Sequence, residues 1–287
     1  MEMPSQFTKT GGFTDLPSAN PIGIFDSGLG GLTVARQLFK QLPDESTVYL
    51  ADSARVPYGL KSTETVKGYV LEICRFLTDQ GCKAIVIACN TATAAGLEAA
   101  QARIDVPVIG VIKPGAKMAV DTTKNGKVGV LATEGTIRSQ AYVYEIRSLM
   151  PKAQVFGQPC TRFTELVETG MKNPEEIREC VRGYVKSLEA TEIDTLVLGC
   201  THYPLLAEYI QEAVGEHVAL VDPAHETVSV LERDLCSRDE LAPRGAPKRV
   251  YYTSGDTDTF RSIASLILAL PKAEAERMDV RKVTWEV

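Results

Sequence analysis

The chain has 287 residues, 44% of them hydrophobic and 24% charged, enough to bury two compact cores and too much apolar content for wholesale disorder. Its 31 Lys and Arg stand against 37 Asp and Glu, a net charge of −6, so it lacks the basic surplus of a phosphate-backbone binder and no nucleic-acid partner is expected. The longest charge-free apolar stretch, Ala84–Leu97, is broken by Asn90 and several threonines, so no membrane-spanning segment is expected either.

Residues 1–20 are polar and rich in Gly, Pro, Ser and Thr, and read as a flexible extension. They contain no apolar segment of the kind that directs secretion, so a cytoplasmic address is expected. Short apolar runs suited to strands then recur at Ile22–Phe25, Thr47–Ala51, Ala84–Cys89, Val106–Ile112, Val128–Ala132, Gln154–Gly157, Thr195–Cys200, Val218–Val221 and Arg249–Thr253. They lack polar alternation, the pattern of strands covered on both faces. Helical stretches lie between most of them. Ser62–Gln80 has Ser62 or Thr63 as its N-cap and Gly81 as its stop, and Pro174–Ala190 opens with Asn173 and an N1 proline. Strands and helices in alternation predict an α/β fold with mainly parallel sheets, which gather ligands at the carboxyl ends of their strands.

Two stretches repeat. Ile22–Ser27 aligns with Val128–Thr133 and Ile85–Thr91 with Leu196–His202, at offsets of 106 and 111 residues that one loop insertion reconciles. Buried parallel strands share aliphatic positions in any case. That does not explain why Ile85–Cys89 and Leu196–Cys200 both end in Cys followed by small polar residues or His. Two similar three-layer α/β domains are therefore predicted, each ending one strand with a thiol.

The polar groups that follow the strands are the candidate site. Asp26-Ser27-Gly28-Leu29-Gly30-Gly31 resembles a dinucleotide-binding glycine loop with Asp52 as the ribose ligand, but Thr33 stands at the third glycine position, and the match is weak. A tight turn with free N–H groups fits better. Asp26 is then open to two readings, as a helix cap or as a partner for a substrate ammonium or a thiol. Tyr58-Gly59 lies in the loop after the second strand, and Thr133 and Thr136 follow the repeat of the first. Each of these also has a bland reading as a turn or a cap. Asn90-Thr91 and Thr201-His202 are natural caps, and a helix N-terminus both lowers a thiol pKa and seats a carboxylate. His202, two residues from Cys200, is placed to assist it in proton transfer, whereas His217 and His225 carry no signal.

The seven cysteines form no CxxC pair, so neither disulfides nor a metal site is expected, and most read as core residues. Cys89 and Cys200 are the exceptions. Two thiols on facing domains suit removal of a proton from one face of a carbon and its replacement on the other, which inverts a stereocentre. The carbanion so formed beside a carboxylate would need N–H and hydroxyl donors around it.

The segments PIGIFDSGLGGLTV, DSARVPYGLKS, IVIACNTATA, VPVIGVIKPGA, VGVLATEGTI and LVLGCTHYPLL, in this order from Pro21 to about Asp222, together resemble bacterial glutamate racemases, with a looser match at YYTSGDTDTF. The resemblance implies interconversion of L- and D-glutamate without a cofactor, a role in supplying D-glutamate for peptidoglycan, and a homodimer. It implies that Cys200 takes the α-proton from L-glutamate and Cys89 from D-glutamate, with Asp26 and His202 in support. It implies substrate contacts from Asp26, Ser27, Tyr58, Gly59, Asn90, Thr91, Thr133, Thr136, Thr201 and His202. Glu168 matches an acidic residue near the second thiol, although Thr164-Glu165 beside it departs from the usual pattern. The fold implied is a pair of α/β domains related by a pseudo-twofold axis, with the active site in the cleft between them. The first spans 21–112 plus 222–287 and the second 113–221, and residues 1–20 do not resemble the activator-binding extension of some members. An aspartate racemase is the nearest alternative; Thr201-His202-Tyr203, where Thr-Glu would be expected in aspartate enzymes, favours glutamate. A nucleotide-binding module leaves both cysteines unexplained. A thiol hydrolase needs only one of them.

Overall fold

A computed structural model describes residues 17–285, so most of the expected N-terminal extension lies outside the described residues. These residues form two sheets in which every strand pair is parallel. The strands are β1 (Ile22–Asp26), β2 (Thr47–Ala51), β3 (Ala84–Ile87), β4 (Val108–Gly110), β5 (Lys127–Ala132), β6 (Gln154–Pro159), β7 (Thr195–Gly199), β8 (Ala219–Val221), β9 (Arg249–Thr253) and β10 (Asp279–Lys282). The first sheet has the order β10-β9-β2-β1-β3-β4 and the second β6-β5-β7-β8. The sequence repeat is visible in this order: β2-β1-β3-β4 and β6-β5-β7-β8 are the same arrangement, with β1 matching β5 and β3 matching β7.

Each sheet is covered on both faces. Ile22 and Ile24 of β1 enter one apolar cluster and Phe25 enters another, as period-two alternation requires. In β7, Leu196 and Leu198 enter one cluster and Val197 the opposite one. Burial of each such side chain contributes roughly 1.5–3 kcal/mol. The chain returns to the first sheet after β8. Helix Ala224–Ser237 packs on helix Leu32–Gln41, and β9 and β10 extend the sheet beyond β2. Helix Ile112–Thr122 instead buries Ile112, Ala116 and Ala119 against the second sheet. On this membership we propose domains of 21–112 with 222–287, and of 113–221.

Several sequence expectations shift. The expected strand Val106–Ile112 is only Val108–Gly110, because Ile112 already begins a helix. Helix Pro174–Val185 ends before Ala190 and continues as a 3-10 turn to Thr191. β6 is an edge strand and only partly buried, with Phe156 and Val155 packed against the clusters on opposite faces of the sheet. β3 and β7 stop at Ile87 and Gly199, so Cys89 and Cys200 stand just beyond their strands. Among the described residues no helix is long and apolar enough to cross a membrane.

Candidate active site

The carboxyl ends of both sheets border one cavity of about 390 Å³. The first sheet and its loops supply Ser27, Tyr58, Gly59, Cys89, Asn90 and Thr91. The second supplies Thr133, Glu168, Cys200, Thr201 and His202. Cys89 and Cys200 are each 7% exposed and both open onto this space.

Cys89 is the N-cap of helix Asn90–Gln101. Its Sγ accepts from the Ala92 N–H and donates to Ser27 Oγ, both at 3.5 Å. The expected lowering of its pKa by the helix end does not prevail. Burial, and after it the charge of Asp26, push the thiol up to about 12, against the smaller opposing pull of Ala92 and Ser27. Cys89 is therefore a protonated thiol across the neutral range.

Cys200 has a different setting. The residues after it form a turn and the 3-10 helix Tyr203–Leu206, so no α-helix starts at this thiol as the sequence suggested. Its partner is the imidazole: Cys200 Sγ lies 3.8 Å from His202 Nδ1. Nε2 of the same ring stands 3.2 Å from Glu168 Oε1, but the approach is too oblique for a hydrogen bond, and the contact is one between charges. Burial alone would push the imidazole down. The contacts with Cys200 and Glu168, together with the Cys200 and Asp26 charges, outweigh it and push His202 up to about 10. An imidazolium there stabilises negative charge on the adjacent sulfur.

Asp26 and Thr136, both expected to touch a ligand, do not line the cavity. Asp26 is fully buried behind it. Its carboxylate accepts from the Gly28 N–H at 3.1 Å and the Thr201 hydroxyl at 3.4 Å, and burial raises its pKa. It reaches Cys89 and His202 through charge. Thr136 buttresses a cluster of three hydroxyls that joins the sheets: Thr91 to Thr133 at 2.7 Å, Thr133 to Thr136 at 3.1 Å and Thr91 to Thr136 at 3.2 Å. Asn90 Oδ1 accepts from Tyr142 at 2.8 Å, which leaves its amide N–H₂ for the cavity. The Tyr58 hydroxyl is committed to Asp52, so what Tyr58 offers the cavity is ring and backbone. Asp52 itself is fully buried among protein donors, which removes it as a ribose ligand.

Other lining residues carried no individual signal: Val56 and Pro57, and a polar face formed by Thr161, Thr164, Glu165 and Thr169 on and just after helix Thr161–Glu168. Their spacing of three and four residues, opposite buried Phe163, Leu166 and Val167, is the pattern that marks such a face. Among the described residues no three His, Cys, Asp or Glu side chains group as metal ligands.

Residues 22–231 match the family model for Asp/Glu/hydantoin racemases. A glutamate racemase from Latilactobacillus sakei is 44% identical over 262 residues, 91% of this chain and 96% of that protein. The crystal structure of a Bacillus anthracis glutamate racemase isoform superposes with a TM-score of 0.88 at 40% identity, covering 92% of this chain and 97% of that one. A Francisella tularensis glutamate racemase, solved in complex with D-glutamate, superposes with a TM-score of 0.85 at 33% identity, covering 93% and 98%.

Proposed function

The chain belongs to the Asp/Glu/hydantoin racemase family and is an amino-acid racemase; we propose that it interconverts L- and D-glutamate by passing the α-proton between two cysteines, without a cofactor. The observation that carries this reading is one cavity bounded by a thiol from each sheet.

From L-glutamate, the Cys200 thiolate takes the α-proton and becomes a thiol, and the C–H electron pair passes into the adjacent carboxylate. Cys89 then gives its proton to the opposite face and is left as the thiolate, and D-glutamate departs. The D-to-L direction runs these transfers in reverse. Two features support the assignment of starting forms. Cys89 is held protonated, ready to donate, and His202 supplies a cation beside Cys200, held in turn by Glu168. The buried Asp26 charge next to Cys89 makes that thiolate a stronger base when it must take the proton from D-glutamate. The amide N–H₂ of Asn90, the hydroxyls of Thr91 and Thr133, and the backbone N–H groups that open their helices serve as donors to the substrate carboxylates and to the charge that develops on them. In this reading the enzyme works as a cytoplasmic homodimer and supplies D-glutamate for peptidoglycan.

Chiral analysis of L-glutamate and, separately, L-aspartate incubated with the pure protein, chelator present and no pyridoxal phosphate added, tests the proposal. L-Glutamate is expected to reach a racemic mixture while L-aspartate stays unchanged on that timescale. Preferential racemisation of aspartate, or none without pyridoxal phosphate, would overturn it.

A further inference from the structure

Asp52 stands just beyond β2 and is fully buried, yet it lies outside the cavity. Such a carboxylate is stable only when its lone pairs are filled. Oδ2 accepts from the Tyr58 hydroxyl and from Arg55 Nε at 2.6 Å. Oδ1 accepts from the Ser254 hydroxyl at 2.9 Å and from Trp285 Nε1 at 2.7 Å. Half of its donors thus come from residues more than 200 positions further along the chain, next to β9 and β10. The same tryptophan covers one side of the Arg55 guanidinium, 4.4 Å from its ring centre, and Tyr69 approaches it at 4.0 Å. Ser254 Oγ also accepts from the Ala54 N–H at 2.9 Å. The loop from Asp52 to Gly59 is therefore pinned at its base by the C-terminal part of the chain.

At its far end this loop forms cavity wall. Tyr58 and Gly59 line the cavity, and Gly59 packs so closely on the second sheet that an added Cβ would come within 3.1 Å of Thr133 Cβ. We propose that Asp52 and Trp285 are positioning residues, which act through Tyr58 to hold the Tyr58–Gly59 wall at the place glutamate binding requires. This inference rests on the glutamate-racemase reading. Neither residue touches substrate. Their effect falls on a wall that contacts substrate in ground and transition states alike, so it appears in binding and not in turnover.

Trp285→Phe is the first test, because it keeps an aromatic side chain beside Arg55 and removes the N–H donated to Asp52 together with part of the indole ring. Ser254→Ala, which removes the other Oδ1 donor with almost no loss of volume, is measured beside it. KM and kcat are measured in both directions, Kd for D-glutamate by calorimetry, and the melting temperature alongside. Trp285→Phe is expected to raise KM and Kd about five-fold, as befits one lost hydrogen bond to a charged group felt at a distance, with kcat within about twofold of wild type. Asp52→Asn shifts them in the same sense. Should Trp285→Phe fail to fold, Ser254→Ala is read by the same criteria. A folded variant with unchanged KM and Kd, or with lower kcat at unchanged KM, would overturn the inference. Wild-type protein that leaves glutamate untouched would instead overturn the reading beneath it.

Discussion

Cys89→Ser and Cys200→Ser are each expected to reduce glutamate racemisation by about 10³-fold or more with little change in thermal stability. Serine fills almost the same volume, and both sites are small and nearly enclosed. Its hydroxyl, however, is far too weak an acid to exist as an alkoxide beside His202 or Asp26, so neither position could then act as the base. The two losses are distinguishable. In Cys89→Ser the Cys200 sulfur still faces the α-hydrogen of L-glutamate, so slow exchange of that hydrogen with solvent should persist in the L isomer alone. In Cys200→Ser the residual exchange should be confined to the D isomer. Circular dichroism confirms folding, and nuclear magnetic resonance in D₂O reads the exchange. Normal turnover in either variant would leave one thiol without a role.

Gly30→Ala is expected to cost about 10²-fold in kcat/KM, although Gly30 bears no functional group. A Cβ at this position would lie 2.4 Å from Thr201 Oγ1 and 2.5 Å from His202 Nδ1. Both side chains are buried and must move, and His202 cannot do so without leaving its place 3.8 Å from Cys200 Sγ. Overpacking of this kind also costs about 1–3 kcal/mol of stability. Gly28→Ala is the comparison, since its Cβ would meet Glu168 Oε1 at 3.5 Å and Val56 at 3.7 Å, ordinary contacts. Steady-state kinetics and thermal melting of the pair should show a much smaller loss in Gly28→Ala. Equal losses would mean that the glycine loop acts by some route other than its close approach to His202.

The α/β fold and the matching strand order were legible because buried parallel strands write themselves as short aliphatic runs, and because the repeat aligned β1 with β5 and β3 with β7. β10 was not: Asp279–Lys282 is a partly exposed edge strand with three charged residues in four. The thiols were legible from their place after β3 and β7, but their electrostatics were not. A cap position promises a lowered pKa, and at Cys89 burial and the Asp26 charge reverse it. Asp26 looked available to a ligand for want of any local sign that Gly28 and Thr201 enclose it. The Asp52 cluster lay furthest from view, because Ser254 and Trp285 reach it only once β9 and β10 have joined the first sheet. The glycine loop reads from sequence as a tight turn with free N–H groups; that Gly30 also makes room for Thr201 and His202 had no local sign.

Racemisation of L-glutamate in D₂O, stopped at low conversion and followed by separate isotopic analysis of the two enantiomers, tests transfer between two thiols most directly. Hydrogen delivered by Cys89 comes from a sulfur that has exchanged with solvent, whereas hydrogen removed by Cys200 leaves from the other face. The D-glutamate formed should carry deuterium at the α-carbon while the remaining L-glutamate keeps its protium. Deuterium appearing at equal rates in both enantiomers would show that a single base serves both faces, and would contradict a division of labour between Cys89 and Cys200.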